Sequence, residues 1–205
     1  ATPRPLAREA RRRGDEPLLV SEFGNWGLPD VGKLLDGYGS EPWWFETGLE
    51  WGDGVVYPHG IEGRFRQYAF ERVFPSLKAL STASQELQFA AMKYEIEQMR
   101  RHKSIQGYVI TELTDVHWEC NGLLDMRRNP KTYFDKFVTI NADDVLIPIW
   151  ERLAVASGEP CAMPVLFSHY SMLDVDKAVL EWEVSSNING QLPVGRCVPF
   201  EVTDL

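Results

Sequence analysis

With 205 residues, 44% of them apolar and 25% charged, the chain can build one good hydrophobic core or two small ones, which excludes disorder along its whole length. Its formal charge of −9 and acidic pI of about 5.0 exclude a phosphate-reading surface, because nucleic-acid affinity rests on clustered Lys and Arg. No apolar run approaches the roughly 20 residues that cross a bilayer, so neither a nucleic acid nor a membrane is an expected partner.

In chain order, the first element is a basic cluster, Arg4, Arg8, Arg11, Arg12 and Arg13, beside Pro3 and Pro5. It suits a solvated arm or surface helix better than a polyanion contact. Pro17-Leu18-Leu19-Val20-Ser21-Glu22-Phe23-Gly24 then predicts a short buried strand, an apolar run bounded by a proline and a glycine, with Glu22 at its end. From Asn25 to about Gly63 the chain is rich in Gly, Pro and Trp, including Trp26, Trp43, Trp44 and Trp51. A stretch of that length without helical periodicity predicts an elaborate functional loop.

Helical signals begin near Phe65 and strengthen over 81–103, where Leu87, Ala90, Ala91, Tyr94 and Met99 repeat at helical spacing. Thr82 with Gln85 forms a candidate capping box, and the basic run Arg100 to Lys103 suits the negative end of the helix dipole. Ser104 to Glu112 predicts a second buried strand, again ending in a carboxylate. Strand, loop, helix and strand in that order describe a βαβ unit joining parallel strands. In a β/α barrel the chemistry sits at the carboxyl ends of the strands, where both Glu22 and Glu112 fall. A polar and aromatic loop over 113–129 and a helix over 130–139, opened by Pro130, follow.

Beyond Ile140 the texture changes to short strands, expected over 144–153, 161–168 and 178–184, with turn signals at Ser157-Gly158-Glu159-Pro160 and Asn189-Gly190. The spacing is that of a sandwich, though the segment is shorter than the roughly 100 residues a seven-stranded sandwich takes.

From residue type alone, Glu22 has two readings. It caps a loop or pairs with an arginine, or it is an ionised carboxylate positioned to attack an anomeric carbon. The wording of the strand bears on that choice. Ser21-Glu22-Phe23-Gly24 resembles the nucleophile strand, strand seven, of glycoside hydrolase family 2, the family of β-galactosidases, β-mannosidases and β-glucuronidases. Gly107-Tyr108-Val109-Ile110-Thr111-Glu112-Leu113-Thr114-Asp115-Val116, continuing through Asn121-Gly122-Leu123-Leu124-Asp125, is similar to strand eight and its loop. The likeness covers about 17–133, and Pro164-Val165-Leu166-Phe167-Ser168 and Leu180-Glu181-Trp182-Glu183-Val184 resemble strands of the sandwich that follows the barrel.

The resemblance implies an α/β fold: the carboxyl-terminal portion of a (β/α)8 TIM barrel over 1–140, then a partial β-sandwich over 141–205. It implies hydrolysis of β-linked O-glycosides with retention, Glu22 as nucleophile, no cofactor and a glycoside substrate. Asn25, Trp26, Glu112, Asp115 and Trp118 are candidate substrate contacts. Asn25 and Asp115 would bond hydroxyls at the rim, and for each tryptophan sugar stacking competes with packing. Glu112 departs from the family, which often has a neutral amide there; it binds a sugar hydroxyl, makes a structural hydrogen bond, or serves as the acid. The family's acid/base lies on strand four in an Asn-Glu pair, which nothing upstream of Glu22 supplies, so the remainder of a parent enzyme is expected to complete the barrel.

Cys120, Cys161 and Cys197 lack Cys-x-x-Cys spacing, and His59, His102, His117 and His169 are scattered, so no metal is expected. That cysteine usage and the lack of an apolar leader point to a cytoplasmic location, unless a signal lies upstream. Two non-enzymatic readings stand beside the hydrolase: a carbohydrate-binding or scaffold protein on a degenerate barrel, and an interaction module that buries Trp43, Trp44 and Trp51 against a protein.

Overall fold

The computed structural model describes residues 16–45, 59–116, 119–150, 154–156, 158–160, 162–175, 178–181 and 198–200. The chain divides into two compact units, Ala1–His169 and Tyr170–Leu205. It is a mixed helix and strand protein, and each described sheet has two strands.

In the first unit, β1 (Leu18–Phe23) pairs in parallel with β2 (Ile105–Ile110), in the register Leu18 to Ile105, Leu19 to Gly107, Val20 to Tyr108 and Phe23 to Ile110. The connection carries α1 (Val31–Leu35), α2 (Ile61–Gln67) and the long α3 (Leu77–Arg100). Strand alternation sends Leu18 and Val20, and Tyr108 and Ile110, toward a core built on Met92, Ile96, Met99, Ile105, Tyr133 and Ile140, and a register irregularity between Val20 and Phe23 brings Phe23 onto the same core. Leu19 and Val109, about half exposed, lie outside that core. Parallel strands are normally covered on both faces, so this bare apolar side is unusual for a parallel pair.

Several local expectations are corrected. The span from Asn25 to Gly63 is not all loop: Val31 and Leu34, one turn apart, are buried and fold α1 onto a second core with Phe45 and Ile61. The helix starts at Leu77 because Ser76 Oγ accepts a hydrogen bond from Ala79 N at 3.1 Å. Thr82 and Gln85 therefore lie inside it, and Gln85 spends its carboxamide elsewhere. Its buried stripe is Ser81, Gln85, Gln88, Met92, Ile96 and Met99, whereas Leu87 and Tyr94 are exposed.

The helix expected over 130–139 is also absent. The segment closes instead by tighter i to i+3 bonds, Phe134 N to Lys131 O, Phe137 N to Phe134 O and Ile140 N to Phe137 O. A 3-10 turn at Phe134–Lys136 and the short α4 (Val138–Asn141) take its place. Next come β3 (Asp144–Pro148) and β4 (Val165–His169), an antiparallel pair running from Asp144 opposite His169 to Pro148 opposite Val165. Arg100 Nη1, at the end of α3, bonds Asp143 O and Ser168 Oγ.

In the second unit, β5 (Ala178–Leu180) pairs antiparallel with β6 (Val198–Phe200). The expected strand residues 182–184 lie outside the described residues. No helix among the described residues is long and apolar enough to cross a membrane.

Candidate functional site

Parallel pairing brings the carboxyl ends of β1 and β2 side by side. Thr111 N donates to Phe23 O at 2.8 Å, continuing the pairing past the last residue of β2. The next residue of β1 must then be small: a Cβ on Gly24 would stand 2.6 Å from Thr111 O, a clash with backbone that no rotamer relieves. Phe23 packs its ring against Tyr108, edge to face at 5.4 Å.

Glu22, one residue before, is exposed and makes no hydrogen bond or ion pair among the described residues. A free carboxylate at a strand end can attack, accept a hydroxyl or bind a cation. Asn25 Oδ1 accepts from Trp26 N at 2.8 Å, which fixes the turn after the strand, and Trp26 is 54% exposed. On β2's side Glu112 follows a cis peptide from Thr111 and is partly buried. Its Oε2 is buried without a hydrogen-bond partner. Burial raises the proton affinity of Glu112, the charge of Glu119 adds to the rise, and Lys131 opposes it.

Asp115 is not where the sequence reading puts it. Instead of a rim position open to hydroxyls it is 3% exposed. Its Oδ1 accepts from Lys131 Nζ at 2.9 Å and from Gly122 N at 2.8 Å. A carboxylate inside a protein needs a counter-charge and donors; Asp115 has both at Oδ1, while its Oδ2 is buried without a hydrogen-bond partner. Burial still pushes its pKa up to about 7 against the pull of Lys131, while Lys131 is pushed down by its own burial. Trp118 lies outside the described residues, as does Trp51. Trp43 is exposed.

Sequence reasoning missed the groups that hold this end of the sheet together. Lys131 Nζ also bonds Cys120 O at 2.8 Å and Gln88 Oε1 at 3.3 Å, and Gln88 Nε2 donates to Asn121 O at 2.8 Å. Gly27 N donates to the same Cys120 carbonyl at 3.0 Å, Leu28 N to Ser84 Oγ at 3.0 Å, and Gln85 Nε2 to Leu28 O at 2.6 Å. The polar amino half of α3 thus clamps the loop after β1 and the loop after β2 to one another. Gln85 and Gln88 carried a readable signal, since they share the helical stripe of Met92 and Ile96, and a glutamine on a buried stripe must bond something. Burial pushes the Cys120 thiol up to about 12, so it is an inert side chain of this node. Among the described residues no three His, Cys, Asp or Glu are grouped to hold a metal ion.

No protein-family model matches the sequence, and no curated protein matches it. Among solved structures the chain is similar to a β-D-mannosidase from Dictyoglomus thermophilum, with a TM-score of 0.53 and 16% identity over 96% of this chain. The chain spans 23% of that protein's length. The likeness is one of fold: this mixed helix and strand chain resembles part of a β-mannosidase.

Proposed function

We infer that the chain is the nucleophile-bearing part of a retaining glycoside hydrolase of the family 2 kind, acting on β-linked glycosides, with β-mannosides the first to test. The observation that carries this reading is Glu22: an exposed carboxylate, unpaired among the described residues, at the end of a parallel strand in a chain whose backbone resembles part of a β-mannosidase. In this reading β1 and β2 are strands seven and eight of a (β/α)8 barrel, the barrel portion reaches to about residue 140, and a partial β-sandwich follows. The exposed apolar faces support it, since Leu19 and Val109 on the sheet and Leu87 and Tyr94 on α3 are what further strands and helices would cover.

Glu22 then attacks the anomeric carbon while a second carboxyl group, about 5–5.5 Å away and contributed from outside these residues, protonates the departing oxygen. The glycosyl ester on Glu22 is opened by water, whose proton returns to that second group, with net retention. Asn25, Trp26 and Glu112, at the ends of the two strands, contact the sugar.

The test is to incubate the full-length protein containing this chain with an activated 2-deoxy-2-fluoro-β-glycoside and map the adduct by peptide mass spectrometry. The expected result is one fluoroglycosyl group on Glu22. Turnover of β-glycosides with a label on another residue would refute it.

A further inference from the structure

We propose that a small oxyanion of the phosphate or sulfate class binds in a cavity of about 270 Å³ between the amino end of α3 and segments 29–33 and 125–132. Several polar groups of the lining are already used. Asp125 is saturated: Oδ1 accepts from Arg127 N and Asn129 N, and Oδ2 from Asn129 Nδ2, all at 2.8 Å. Gln85 uses both ends of its amide, on Leu28 O and Thr132 N, and Lys131 is spent on three acceptors.

What remains is rich in donors. Ser81 is 1% exposed, and its Oγ is buried with no partner, an arrangement that costs free energy unless something else occupies the bond. Thr82 carries a second hydroxyl, and Lys33, exposed, makes no ion pair among the described residues. Lys78 approaches Asp30 Oδ2 at only 3.8 Å. Against these donors stand Asp30, shared with Lys78, and the Asn129 side-chain carbonyl. With Lys131 neutralised by Asp115, the lysines left to a ligand are Lys33 and Lys78, set against Asp30 and the already hydrogen-bonded Asp125. The amino end of the 24-residue α3 adds a partial positive charge. An anion with several oxygens can take the Ser81 hydroxyl and the two ammonium groups together, whereas a neutral ligand would leave the charge unused.

Isothermal titration calorimetry of the full-length protein containing this chain with inorganic phosphate, and separately with sulfate, at ionic strength held constant with chloride, tests this directly. Saturable one-to-one binding is expected. The double variant Lys33→Met with Lys78→Met should weaken it at least tenfold. Ser81→Ala should weaken it too, with an unchanged thermal melt, because that hydroxyl has no intramolecular bond to lose. Heats matching those of chloride alone, or wild-type binding in the variants, would overturn the site. The readout is independent of glycoside turnover, so it stands or falls apart from the role of Glu22.

Discussion

Lys131 and Asp115 form a buried ion pair, with Nζ 2.9 Å from Oδ1 and side chains 1% and 0% exposed. Such a pair is weak as a net source of stability, because desolvating both ions cancels most of their attraction, yet removing one partner strands the other. At pH 8, Lys131→Met should therefore cost about 3–5 kcal/mol. Adding Asp115→Asn should restore a large part of that loss. Urea unfolding of the two single variants and the double closes the cycle, and additive effects would contradict the pairing.

The same aspartate sets a pH dependence. Its pKa is about 7 in the folded protein against an ordinary value of 3.8, so the native state holds the proton more tightly than the unfolded chain. Its contribution to stability is complete below about pH 3.8 and is lost as pH rises through about 7. Unfolding free energies of the wild type and Asp115→Asn, taken from pH 4 to 8, should diverge with rising pH at the wild type's expense. From Asp115 alone the slope of their difference reaches at most about 1.4 kcal/mol per pH unit. A flat difference would show that Asp115 titrates normally.

What the sequence made legible is the run of elements and not their surfaces. β1 could be read because Pro17 and Gly24 bound an apolar run, and β2 because its apolar run follows the basic end of the helix. The helix itself was legible, but its buried side was not: the repeat of Leu87, Ala90 and Tyr94 is apolar yet exposed, while Gln85 and Gln88 lie inside. Local pattern reports amphipathicity, and polar groups that bond two distant loops break it. The site divides the same way. Glu22 stood out by its place at a strand end, whereas Asp115 looked equally placed, and its burial depends on Lys131, sixteen residues away.

Two glycines separate a packing constraint from a tolerant position. A Cβ on Gly122 would sit 2.4 Å from Asp115 N and 2.6 Å from the Thr114 carbonyl carbon, both backbone. Gly122→Ala should destabilise the chain by about 1–3 kcal/mol through forced displacement of the loop after β2. Gly63, inside α2 with nothing within 4 Å of its added carbon, should accept alanine with a gain of up to about 1 kcal/mol. Equal melting temperatures for the two variants would contradict the contrast.

On the proposed reading, Glu22→Gln should act on chemistry alone. The side chain is exposed and bonds nothing among the described residues, so its stability change should stay within about 0.5 kcal/mol. In the full-length protein the same change should lower kcat for β-glycosides by at least about 1000-fold, since an amide cannot form the glycosyl ester. Measuring melting temperature and turnover on one preparation separates the outcomes. Retained turnover would remove Glu22 from the mechanism.

The bare face of the parallel pair gives opposite expectations for the 205-residue chain and for the complete protein. Leu19 and Val109 are 58% and 49% exposed, on a sheet whose outer edges have no partner strand among the described residues. Exposed apolar edges of this kind promote association between copies. Leu19→Ser with Val109→Ser should therefore raise the solubility of the 205-residue chain and reduce its light scattering. If further strands cover this face in the longer protein, the same pair of changes there buries two hydroxyls in place of apolar side chains and should cost several kcal/mol. Sedimentation of the short chain and thermal unfolding of the long one provide the two halves of the comparison. A neutral effect in the longer protein would mean that this face stays open to water and that β1 and β2 do not belong to a closed barrel.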